Sequence, residues 1–346
     1  MSGRFALAAL AALIAGSCAA GSAASAPDAQ EARDAQSLPP ELAALVAQPQ
    51  TGSFNPEASK DAEFFKDTPE RFRPFVAVCN PWDEWDKPAP PFRIHGNTYY
   101  VGTCGIAAIL IAGDEEHILL DSGTAAGAQV ILANIQTLGF STDDVSYLLH
   151  SHEHFDHIGG FSILASHTQA RIVSSYSSEA VLTTGEAHRD DPQFGMHAPM
   201  EPVLVQRRVA TGDSIETLSN GQIEHSVTAI ETPGHSPGAL SWQWQSCESD
   251  DCKMIVYADS LSPVSADDYR FSDHPEYLAA YREGLERLAY LDCDILLTPH
   301  PSHSRMLRRM RRGELIEPTA CAYYAIGKNQ DIERRLAAEN ETSDGD

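Results

Sequence analysis

The sequence predicts a single α/β domain of four layers, an αββα sandwich, on three observations. Two blocks of short apolar strands occur, one before and one after residue 200, and each block is followed by segments with helical spacing. Each block also ends in a loop that carries histidine. Strands that bury one face against a partner sheet and the other against helices give two packed sheets with helices outside. At 346 residues the chain has ample material for such a core.

Residues 1–26 hold one charge, Arg4, then an apolar run from Phe5 to Ile14 and small residues ending Ala24-Ser25-Ala26. This is the three-part layout of a secretory signal peptide, and the run is well short of the roughly 20 residues that span a bilayer. Ala15-Gly16-Ser17-Cys18 resembles a lipoprotein cleavage box, so a lipid anchor on Cys18 is the alternative. Residues 27–53 are rich in Ala, Gln, Pro and charge, and are expected to form a linker or arm. The globular body is expected over 54–338, and the polar, acidic stretch 339–346 is expected to be a disordered tail.

Within the body, strands are expected at Thr98–Val101, Gly105–Ile111, His117–Gly123 and Val145–Leu149, with a helix over Gln129–Leu138 stopped by Gly139. The second block gives strands at Val227–Glu231, Ala239–Gln245, Lys253–Ala258 and Ile295–Thr298. Its helices are expected over Pro275–Tyr290, Ser304–Arg312 and Ala320–Ala338.

The chain has 24 basic and 49 acidic residues, a formal charge of -25. That excludes a nucleic acid or an anionic membrane as partner, since both require a basic footprint. Of seven cysteines, removal of the signal leaves Cys79, Cys104, Cys247, Cys252, Cys293 and Cys321, an even number suited to an oxidising compartment. Cys247 and Cys252 flank a short polar loop between two strands and are expected to pair. The other four allow three pairings.

The chemistry concentrates in His152-Glu153-His154-Phe155-Asp156-His157, which directly follows the apolar strand Val145–Leu149. Residues two apart on an extended backbone leave from the same face, so His152 and His154 can grip one ion. Asp156 and His157 follow in the turn before Gly159-Gly160 and can reach a second. Zinc accepts imidazole and carboxylate donors, and a catalytic site keeps one position open for water. His235, in Thr232-Pro233-Gly234-His235, and His300, in Thr298-Pro299-His300-Pro301, each follow a strand and can complete the two sets.

In this order these segments resemble the HxHxDH signature and later histidines of the metallo-β-lactamase superfamily, whose fold is the αββα sandwich. Asp121-Ser122-Gly123 matches its supporting strand-end motif. Cys79-Asn80-Pro81-Trp82, Gly96 to Thr103 and Ala258-Asp259-Ser260-Leu261-Ser262 bring the chain nearest to subclass B3, over a stretch from Cys79 to about Tyr324. The resemblance implies one zinc on His152, His154 and His235 and a second on Asp156, His157 and His300. It implies disulfides Cys79–Cys104, Cys247–Cys252 and Cys293–Cys321. It further implies hydrolysis of penicillins, cephalosporins and carbapenems by a hydroxide held between the two zinc ions and oriented by Asp156, without a covalent acyl-enzyme. Ser262 would bind the substrate carboxylate and Ser260 a water near the second zinc. Asp259 is a rival, since related folds place a metal-bridging aspartate at such a strand end.

His150, His188, His197 and His303 fit no ligand position and are expected at the surface or hydrogen-bonded nearby. Trp82 and Trp85 are candidates for the cleft mouth, Trp242 and Trp244 for packing. The irregular loop Glu186–Pro202 is the expected substrate-facing wall. The expected protein is a periplasmic or secreted monomer acting on a small molecule. A lactone or thioester hydrolase on the same fold is the alternative function.

Overall fold

The computed structural model describes residues 64–343. The expected signal peptide, Cys18 and the linker therefore lie outside the described residues. Helix α1 (Arg73–Val78) leads into an antiparallel run of β1 (Phe92–His95), β2 (Thr98–Tyr100), β3 (Ile109–Ala112) and β4 (His117–Leu120). Helix α2 (Ala125–Thr137) crosses over to β5 (Val145–Leu149), which pairs parallel with β4. The short helices α3 (Phe155–Ile158) and α4 (Phe161–Thr168), then β6 (Arg171–Ser175), α5 (Glu179–Thr184) and β7 (Arg207–Val209), complete a seven-stranded sheet in chain order.

The second sheet is built from β8 (Ser214–Ser219), β9 (Gln222–Glu231), β10 (Leu240–Glu248) and β11 (Asp251–Tyr257), with β12 (Ile295–Leu297) parallel to β11. Helix α6 (Pro275–Ala289) precedes β12, and α7 (Met306–Arg311) and α8 (Ala320–Ser343) follow it.

The layering follows from alternation along strands that are apolar on both faces. Ile118, Leu120 and Leu149 of the first sheet meet Val227, Trp242, Ile255 and Leu297 of the second in one buried core. Their neighbours Leu119 and Leu148 point the other way, onto Ile131 and Ile135 of α2 and Leu164 of α4. On the far side Val256 and Leu296 meet Tyr281 and Leu285 of α6 and Tyr324 and Ile332 of α8. The result is helix, sheet, sheet, helix, the αββα order expected, with Trp242 and Trp244 fully buried between the sheets. None of the described helices is long and apolar enough to cross a membrane.

Two expectations are corrected. Gly105–Ala108 is not strand: the segment loops out, and Ala107 N–H donates to Pro299 O, beside His300. The supposed tail is helical as far as Ser343. Glu339 within it is buried and its carboxylate accepts the N–H groups of Phe271 and Ser272 at 3.0 and 2.9 Å, which fastens the end of α8 to the body. Disulfides join Cys79 to Cys104, Cys247 to Cys252 and Cys293 to Cys321.

Candidate metal centre

The centre forms where strands of both sheets end. Strand β4 stops at Asp121, which takes the left-handed conformation (φ 61°) that aspartate tolerates better than most residues. Its buried carboxylate accepts Ser151 N–H at 2.6 Å, Ser151 Oγ–H at 2.7 Å and Tyr257 O–H at 2.7 Å. It also lies 3.1 Å from His157 Nδ1. One side chain thus fixes the start of the histidine loop, a histidine within it and a strand of the other sheet. Gly160 lets the loop turn tightly here, because a Cβ would meet Ala128 Cβ at 2.7 Å and Ser122 O at 2.8 Å.

The loop reaches the second half through Glu153, which the sequence did not single out. Its carboxylate accepts Ser236 Oγ–H at 2.6 Å and Gly238 N–H at 2.7 Å, which pins the chain just after His235. On the other side of His235, a Cβ on Gly234 would run into the Tyr281 ring at 2.4 Å, so only glycine lets α6 pack this close.

Two groups of donors converge. His152, His154 and His235 bring one ligand atom each within 4.8 Å of one another, all buried. Asp156 Oδ2 lies 3.2 Å from His157 Nε2 and 3.3 Å from His300 Nε2, and those two nitrogens are 3.3 Å apart. Tetrahedral zinc, with bonds of about 2.0–2.1 Å, holds its donors about 3.3–3.4 Å apart. The second group therefore already has the spacing of a zinc triad.

Each imidazole has its rear nitrogen engaged, which turns its other nitrogen toward the centre. His152 Nδ1 lies 2.8 Å from Asp259 Oδ1, and its Nε2 is a buried nitrogen with no hydrogen-bond partner. His154 Nε2 lies 2.9 Å from Asp191 Oδ2, leaving Nδ1 forward. His235 Nδ1–H donates to Ser262 O at 2.8 Å, His157 uses Asp121, and the Gly105 backbone bonds the His300 ring. An orphaned Nε2 on His152, among forward ring nitrogens backed by carboxylates and carbonyls, fits a divalent cation.

The electrostatics agree. Burial disfavours ionised Asp156, yet His157 and His300 beside it hold its carboxyl well below the usual carboxylate range. Burial also opposes a charge on His157, but Asp156 and Asp121 outweigh it and push the ring up to about 10. In the bare chain a proton on His157 supplies the positive charge these carboxylates require. Burial pushes Asp259 up to about 7. That aspartate faces the rear of His152, so its geometry is that of a support and not of a bridge.

Around the donors, Ser260 Oγ is buried without a partner, and Ser262 Oγ–H donates to Ser260 O at 3.2 Å. Trp85 stands at the edge, its ring 5.8 Å from His300 and 5.5 Å from Phe155, whereas Trp82 is exposed to solvent away from such contacts. The loop Glu186–Pro202 reaches the donors themselves. Asp191 and Gln193 fold inward, Gln193 Nε2 lies 3.3 Å from His235 Nε2, and the His197 ring sits 4.6 Å from Phe155. His150 is held inside the fold by Ser178 Oγ at 2.9 Å, His188 is partly exposed beside Asp190, and His303 packs 4.8 Å from His300.

The sequence profile of the metallo-beta-lactamase superfamily matches residues 101–300, the stretch that supplies all six donors. The chain belongs to this superfamily. Among solved metallo-beta-lactamases it is 53% identical to MIM-2, covering 79% of this chain and 99% of that one with a TM-score of 0.74. To MIM-1 from Novosphingobium pentaromativorans it is 46% identical, covering 78% and 98% of the two chains with a TM-score of 0.73. MEM-A1, a subclass B3 metallo-beta-lactamase from a soil metagenome library, is 37% identical over 75% of this chain and all of its own, with a TM-score of 0.70. A more distant relative is the probable metallo-hydrolase YflN of Bacillus subtilis, 23% identical over 197 residues, which are 53% of this chain and 74% of that protein.

Proposed function

We propose that this superfamily member is a two-zinc β-lactamase that opens the ring of penicillins, cephalosporins and carbapenems. The observation that carries the reading is the pair of converging donor groups, His152, His154 and His235 beside Asp156, His157 and His300, in a chain half-identical to a named metallo-beta-lactamase. Bound zinc would supply a water acidified to near-neutral pH and a Lewis acid for the lactam carbonyl. The chain's own residues set the geometry. Asp156 offers Oδ2 to its metal group, which leaves its other oxygen to accept a hydrogen bond and orient the nucleophile. Glu153 and Asp121 keep the two histidine loops in register, so that little reorganisation is left for the reaction. Ser262 would meet the substrate carboxylate, and the unpartnered Ser260 Oγ a water beside it.

Residues 1–26 would act as a signal peptide that carries the chain out of the cytoplasm, to where β-lactams meet their targets and where its three disulfides persist. The test is purified protein assayed for metal content and against a penicillin, a cephalosporin, a carbapenem, a lactone and a thioester. Two zinc ions per chain and chelator-sensitive turnover of the β-lactams are expected. Turnover of the lactone or thioester alone would establish the alternative hydrolase instead.

A further inference from the structure

Helix α8 lies on the outside of the second sheet, yet one face of it reaches the edge of the centre. Tyr324 and Lys328 are four residues apart and so share that face. Tyr324 O–H donates to Asp259 O at 3.0 Å and Ser260 O at 2.7 Å, and Lys328 Nζ donates to Ser262 Oγ at 2.7 Å. Cys321, one turn earlier, is tied by its disulfide to Cys293 just before β12. The helix therefore holds Asp259, Ser260 and Ser262 from behind.

Lys328 is only 7% exposed. Its nearest carboxylate, Asp331, is 4.0 Å away and partly in solvent, and its short contact is a neutral hydroxyl. A buried ammonium with so loose a counterion is costly unless a further anion completes its surroundings. Burial pulls it down to about 8, against the opposing pull of Asp331 and Asp259, so it remains charged at neutral pH.

An ammonium can only donate, so Ser262 Oγ must accept from it, and the serine's own proton has to point elsewhere. In this structure that proton goes to Ser260 O at 3.2 Å, a long bond that a charged acceptor can displace. We propose that Lys328 is a positioning residue for the substrate carboxylate. It holds the Ser262 hydroxyl as an outward donor and places a positive charge one hydrogen bond behind it. This rests on the β-lactamase reading and names the group through which the chain selects an anionic substrate.

The test is a cycle across protein and ligand. Steady-state kinetics are measured on zinc-loaded wild type and Lys328→Met with one β-lactam as its free acid and as its methyl ester. Removing a charge-assisted contact of this kind is expected to raise KM for the acid about tenfold while kcat stays within about twofold. KM for the ester, which lacks the anion, should be the same in both proteins. A merely structural lysine would shift acid and ester alike, and that result, or an unchanged acid KM, overturns the proposal. In a Ser262→Ala background the Lys328→Met change should add nothing. Lys328→Gln, which keeps a donor without the charge, carries the same comparison if Lys328→Met loses zinc or melts early. Wild type inactive on both acid and ester would overturn the β-lactamase reading, and the role of Lys328 with it.

Discussion

Asp191 provides the sharpest test of how the centre is held. Its Oδ2 lies 2.9 Å from His154 Nε2, and its Oδ1 accepts Gln193 N–H at 2.7 Å. Asp191→Asn changes one atom and no shape. To keep the Gln193 bond, the new amide oxygen must stay at the Oδ1 position, which turns the NH2 group toward His154 Nε2. That nitrogen must then accept, the ring proton moves to Nδ1, and the lone pair that faces the metal group is lost. The opposite flip sets two N–H donors against each other at Gln193. Either way one buried charge-assisted bond goes, and loss of such a support typically lowers metal affinity 10- to 100-fold, about 1.4–2.8 kcal/mol. Competition with a chromophoric chelator measures this directly. The weakening should fall on the His152, His154 and His235 group and leave the other ion within about twofold. A variant that binds both ions like wild type would refute the claim that this carboxylate sets the tautomer.

Asp156→Asn should leave the all-histidine group loaded but reduce turnover more than about 100-fold, because it removes both a donor to the second group and the oxygen that orients the nucleophile; metal analysis beside kinetics separates the two effects. Removing the Cys293–Cys321 bridge as a double alanine variant frees a loop with a sequence separation of 28, expected to lower stability by about 3–4 kcal/mol in chemical denaturation. Burial alone would raise the Glu339 carboxyl, but the Ser272 N–H and the Arg335 guanidinium outweigh it and hold it below its ordinary value. Its contribution is therefore complete above the unfolded carboxylate value near pH 4 and is lost as pH falls through the lower folded value. Glu339→Gln should flatten that part of the acid dependence of the melting temperature, and an unchanged profile would show that the helix end is held without it.

What the sequence made legible was whatever local pattern encodes. Val145–Leu149 is a short buried run that reads as a strand, and the spacing of His152, His154, Asp156 and His157 directly after it points to metal chemistry. Strand β8 and the start of β9 escaped because their hairpin is largely exposed and polar, so no apolar alternation marks it. Gly105–Ala108 misled because small apolar residues resemble a strand when their true partner, Pro299, is far along the chain. Asp191 and Lys328 were invisible for the same reason. Their partners lie 37 and 66 residues away, and nothing near an aspartate in an irregular loop or a lysine on a helix announces such a contact.

Each donor group draws on both halves of the molecule: His235 closes the first and His300 the second, while the other four donors come from the one segment His152–His157. An ion in either group would thus clasp the two sheets together at their ends, and its binding energy would count toward folding as well as chemistry. A host that withholds zinc would then do more than silence such a protein. It would release the clasp, let the loops at the sheet ends open more often, and hand the chain to proteases, so that recovery would require new synthesis and not merely the return of metal.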